Sequence, residues 1–139
     1  MIAIGVNRLR LSLLLVLLAA AMPHALSWAE PPVDPVEDAR KAEQEGRWSE
    51  AVAAWETLAR AAGASGSGEA LIRIGGFLRA LAATGQVERL DSEAAKALAA
   101  RPGWDEAAIL RAQSLEARGK PEDGVELLKP LAVRSLPAA

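Results

Sequence analysis

The chain has 139 residues, a formal net charge of −2, no cysteine, no tyrosine and one histidine. This length suits one small domain, and the absence of a basic block argues against nucleic acid as a partner. The missing cysteines remove disulfides and thiolate chemistry. The one histidine, His24, lies in a leader segment, so the remainder lacks the usual metal ligands and the usual general base near neutral pH.

The leader reads as a signal peptide over residues 1–29. Arg8 and Arg10 give a positive start, and Leu11 to Ala21 is an apolar run too short to span a bilayer comfortably. Ser27-Trp28-Ala29 puts small residues at the two positions that signal peptidase reads, so cleavage is expected after Ala29. There is no cysteine for a lipid anchor and no twin arginine, which favours general secretion and a periplasmic or secreted product. An uncleaved anchor is the other reading. Of the 16 basic residues two lie in the leader, which leaves 14 against 18 acidic ones and a net charge of −4 for residues 30–139.

After a short proline-rich lead, Asp34-Pro35-Val36-Glu37 reads as a helix start with a cap, a first-turn proline and a capping-box glutamate. This helix is expected to run to about Glu45 and stop at Gly46. A second starts near Ser49 as capping residue, with Ala51, Val52, Trp55, Leu58, Ala59 and Ala62 on one apolar face. Residues 63–68, Gly-Ala-Ser-Gly-Ser-Gly, read as a flexible loop. A third helix spans about Glu69 to Thr84 and contains Gly75-Gly76, at about 1 kcal/mol each relative to alanine. The pair reads as close packing against a neighbouring helix, or as a kink or bare patch that admits a ligand backbone. A fourth helix covers Val87 to Ala100, a fifth Asp105 to Arg118. A sixth starts at Pro121, and Pro130 is expected to end or kink it. No alternating pattern argues for a strand.

Gly46, Gly85 and Gly119 each close one helix and precede another, 39 and then 34 residues apart. Seven residues before each glycine stand Ala39, Leu78 and Ala112; two after stand Trp48, Val87 and Pro121; five after, Ala51, Leu90 and Gly124; nine after, Trp55, Ala94 and Leu128. A period near 34 with a helix on each side of a glycine turn resembles the tetratricopeptide repeat family, in degenerate form and in an exported bacterial protein. The resemblance covers about 32–63, 69–103 and 104–137. It implies an all-α fold of three tandem helix-turn-helix hairpins in a short right-handed solenoid over residues 30–139. It also implies protein binding rather than chemistry.

In that family the concave wall is built mainly from first helices. The resemblance puts Arg40, Arg79 and Gln113 in one groove row, Glu43, Ala82 and Glu116 in a second, and Val36, Gly75 and Ile109 one turn earlier. Arg40 and Arg79 would then point into one groove, able to hold a carboxylate or a peptide backbone. Alternatively, each arginine is a solvated residue paired with a nearby glutamate. The family's carboxylate clamp also uses lysines and asparagines, for which there is no matching set here. Trp48 and Trp55 are expected in the core. Trp104, after Pro102-Gly103, is either wedged between units or exposed as a contact.

The last helix carries Val125, Leu127 and Leu128 and is followed by Leu131, Val133 and Leu136, an apolar end that is expected to pack against something. Acid pairs at Glu37/Asp38, Asp105/Glu106 and Glu122/Asp123 fall in first helical turns, where the helix dipole suffices to explain them. With no phosphate loop and no serine elbow, an enzyme is not expected. Nor is a cofactor, a metal or a small-molecule substrate. Membrane contact is expected only through the signal peptide. The expected role is a periplasmic protein-interaction module or assembly factor with a protein or peptide in its groove. The alternatives are a self-associating structural subunit that uses its apolar C-terminal helix, and a truncated remnant of a longer repeat protein.

Overall fold

The computed structural model describes residues 31–63 and 65–135. The expected signal peptide, with its cleavage point after Ala29, lies outside these residues, as do Leu136 and Pro137. The described residues from Val33 on belong to one compact unit. Among them are six helices: α1 Pro35–Gln44, α2 Trp48–Ala62, α3 Gly68–Ala83, α4 Val87–Ala100, α5 Asp105–Ala117 and α6 Pro121–Ser135. No strand occurs among the described residues. None of their helices is long and apolar enough to cross a membrane.

Local chemistry sets the helix ends. The Asp34 carboxylate accepts the Val36 N–H at 2.9 Å, with Pro35 in the first turn. Ser67 Oγ accepts the Ala70 N–H at 3.2 Å and starts α3. Gly46, Gly85 and Gly119 have φ of 71°, 67° and 74°, a region that L side chains disfavour. At each, the glycine N–H reaches a carbonyl three residues back: Glu43 at 3.0 Å, Ala82 at 3.1 Å and Glu116 at 2.9 Å. The following N–H reaches five residues back: Arg47 to Ala42 at 2.8 Å, Gln86 to Leu81 at 3.0 Å, Lys120 to Leu115 at 2.9 Å. These are three copies of one Schellman turn.

That turn corrects one expectation. Ser49 does not cap α2. The helix already begins at Trp48, and Arg47, the residue that completes the preceding turn, is its N-cap without a side-chain hydrogen bond. The chain reversal leaves no extended residue at position 49 for a cap to occupy.

Each helix packs on the next in sequence, and α3 also packs on α5. Trp55, Leu78 and Leu81 are the largest apolar side chains fully buried, among alanines such as Ala39, Ala51, Ala80, Ala94 and Ala107. Small residues let the helices approach closely, and the extreme case is α2 against α3. A Cβ on Gly76 would lie 2.5 Å from the Trp55 ring. Of the open readings of Gly75-Gly76, close packing is the one observed at Gly76. The Trp55 indole N–H is satisfied by Glu43 Oε1 at 2.9 Å.

One further expectation is corrected, and one of two alternatives is removed. Trp48 is not core; it is 38% exposed, whereas Trp55 is fully buried. Both lie on one stripe of α2, but Trp48 sits in the first turn, beyond the Ala51–Leu58 stretch that the core covers. Pro130, expected to end or kink α6, does not end it: the helix continues to Ser135. Leu127, Pro130 and Leu131 line a cleft with Trp104, and Arg134 Nη2 pairs with Asp105 Oδ1 at 2.7 Å. These contacts hold the last turn on α5 despite the missing proline N–H.

Ion pairs link helices further. Asp91 on α4 accepts from Arg111 of α5 at 3.0 Å and also from Arg118. Arg89 of α4 pairs with Glu56 of α2 at 3.0 Å and lies over the Phe77 ring, 5.7 Å from its centroid.

Candidate interaction cleft across three helices

Arg40 of α1, Leu71, Ile72 and Arg79 of α3, and Trp104 and Glu106 at the start of α5 line one cleft of about 240 Å³. Helical periodicity explains the α3 wall. Ile72 and Arg79 are seven residues apart, two turns along the same face. Ile72 is 47% exposed, an apolar side chain that the fold leaves uncovered. Trp104 is half-buried, with its ring 3.4 Å from where a Cβ on Gly75 would lie. The same Cβ position lies 3.2 Å from Glu106 Oε2 and 3.3 Å from Arg79 Nη1, so Gly75 leaves room for that pair beside the indole.

The two guanidiniums differ. Arg79 Nη1 donates to Glu106 Oε1 at 2.7 Å across the α3–α5 junction. Among the described residues Arg40 has no ion-pair partner and is exposed. One cleft thus holds one unpaired cation, one exchangeable ion pair and an apolar wall of Ile72 and Trp104. Chemically, Arg40 can take a carboxylate, and Ile72 and Trp104 can take an apolar group. No group of three or more His, Cys, Asp or Glu stands together among the described residues, so none of them offers a metal-binding cluster.

The remaining expected residues lie elsewhere. Glu43 holds the Trp55 indole rather than lining the cleft. Gln113 and Glu116 line a separate groove of about 340 Å³ with Ile109, Gly124, Val125 and Leu128. Leu71, Ile72 and Glu106 were absent from the expected rows. Their signal was present: Ile72 is two turns before Arg79, and Glu106 two turns before Gln113.

A third concavity, about 260 Å³, lies between α2, α3 and α4 over Ile74, Phe77 and Ala97. Its rim charges satisfy one another: Glu56 with Arg60 and Arg89, Glu93 with Lys96. The Glu56 carboxyl is held below the usual carboxylate range, first by its hydrogen bond from Arg89 and further by Arg60, against the opposing effect of desolvation.

The chain matches no family model, no curated protein and no solved structure.

Proposed function

We propose that residues 30–139 are a tetratricopeptide-like domain: a short right-handed solenoid of the hairpins α1/α2, α3/α4 and α5/α6. It serves as a protein-interaction or assembly module outside the cytoplasm. One observation carries this reading: the first helices of all three hairpins contribute to a single cleft, where Arg40, Arg79 and Trp104 meet. The ligand class is a protein segment with an acidic group for Arg40 and an apolar side chain for Ile72 and Trp104. An exposed ion pair contributes under about 1 kcal/mol, so affinity rests on the apolar wall and the peptide backbone as well. The leader supports export, and an N-terminus at Glu30 in the purified protein would establish cleavage.

The test is in-cell crosslinking of the tagged protein, followed by affinity capture and mapping of the crosslinked segment. Wild type is compared with Arg40→Glu. Arg40 has no structural partner, so this variant should keep its thermal stability. Arg79→Glu is a second variant, read together with its melting temperature because it also breaks the Glu106 pair. The expected result is a partner segment with an acidic residue, crosslinked by wild type and lost in Arg40→Glu. Equal recovery in both would overturn the reading.

A further inference from the structure

Counting from each turn glycine identifies equivalent positions in the three hairpins. Six residues after it stand Val52, Asp91 and Val125; nine after, Trp55, Ala94 and Leu128; ten before, Val36, Gly75 and Ile109. In the first hairpin α3 covers this face, with Gly76 against Trp55. In the second α5 covers it, with Arg111 on Asp91. In the third nothing among the described residues covers it. Val125 is 60% exposed and Ile109 46%, and both line the groove of about 340 Å³ between α5 and α6.

We propose that a second copy of this chain covers this face in a two-fold dimer, with the two α6 helices antiparallel. Two observations select a second copy in that orientation. The first is charge complementarity. Pro121, Val125, Leu128 and Ala132 are spaced four, three and four residues apart, a seam of a/d type. Glu122 and Lys129 lie on one flank of that seam, seven residues apart and both exposed. Antiparallel pairing that sets Val125 against Leu128 of the other copy brings each Glu122 to the other copy's Lys129. The same patch is thereby self-complementary, as a two-fold contact demands. The intrahelical Lys129–Glu126 pair is exposed and does not compete strongly.

The second observation excludes head-to-tail stacking. The α1 positions equivalent to Gly76, Phe77 and Ala80, which face the preceding hairpin, are Glu37, Asp38 and Lys41. All three are exposed. Seating them on Val125, Leu128 and Ile109 would bury three charged side chains against apolar ones; Glu37 and Lys41, four residues apart, could pair, but Asp38 would be left without a partner. The α5/α6 face can therefore meet its own copy but not the α1 end of another.

The experiment is light scattering with size-exclusion chromatography, over a concentration series, on protein purified after expression of the full chain. Wild type is expected as a reversible dimer in the micromolar range. Val125→Asp, at an exposed position, should be monomeric with an unchanged helical circular dichroism spectrum. Glu122→Lys and Lys129→Glu should each weaken the dimer about tenfold, and the double exchange should restore it. A wild type that stays monomeric across the series would overturn the proposal. So would a dimer indifferent to Val125→Asp, or single reversals that the double exchange does not rescue.

Discussion

Gly76 and Trp55 share one volume: a methyl group on the glycine would lie 2.5 Å from the indole ring. The α2–α3 junction depends on that absence. Gly76→Ala should gain about 1 kcal/mol of helix propensity and lose more, about 1–3 kcal/mol, to overpacking. The expected outcome is a lower melting temperature, partly recovered by adding Trp55→Phe. Gly68→Ala is the control, since nothing lies within 4 Å of its Cβ position. An equally stable Gly76→Ala protein would refute the close contact.

Glu43 is expected to act on stability through Trp55. Glu43→Ala leaves a buried indole N–H without its acceptor and should cost about 1–3 kcal/mol. Glu43→Gln keeps an acceptor oxygen and should cost much less. Urea unfolding of the three proteins separates these outcomes; equal midpoints for both variants would show that the hydrogen bond contributes nothing.

Asp91 joins α4 to α5 through Arg111 and Arg118. Asp91→Asn should destabilise by about 1–2 kcal/mol at low salt, because the carboxylate is largely shielded and both cations lose their partner. The difference from wild type should shrink in 1 M salt as screening grows. A salt-independent difference would point to packing instead of charge.

Acid should unfold this domain, whereas the neutral range should leave it unchanged. Residues 30–139 contain no histidine, so no side chain of ordinary pKa titrates between about pH 6 and 8. Glu56 is lowered by Arg89 and Arg60. A lowered carboxyl contributes stability above its unfolded value near 4.3, lost as the pH falls through the folded value. Melting temperatures should be level from pH 6 to 8 and drop below about pH 4.3, less steeply for Glu56→Gln. A drop centred near pH 6.5 would contradict this account.

The helices were legible because glycine turns, prolines and first-turn acids are local signals, joined in α2 by a clear apolar spacing; α5 has almost none and was bounded by its ends. The buried Trp55 was legible from the α2 spacing. That Arg40 and Arg79 share a cleft was expected from the groove row that the tetratricopeptide resemblance implies, and both line one cleft. What the sequence concealed depends on contacts between distant residues. The Arg79 pairing with Glu106, 27 positions on, is set by how α5 docks on α3. Trp48 and Trp55 share a stripe, and only the extent of the core separates their fates. Pro130 carries a strong local stop signal, yet the helix runs on with Leu127 and Leu131 in the cleft beside Trp104. Gln113 was expected in the row of Arg79 and Glu116 in the row beside it, yet both line the groove between α5 and α6.

The three Schellman turns have a consequence for the residues around them. Each reversal is made by one glycine and two backbone hydrogen bonds, and the residues two positions later are Trp48, Val87 and Pro121. A joint built from main chain tolerates almost any neighbour. The flanking helices can then differ widely from one turn to the next, as they do here, while each turn keeps its two hydrogen bonds.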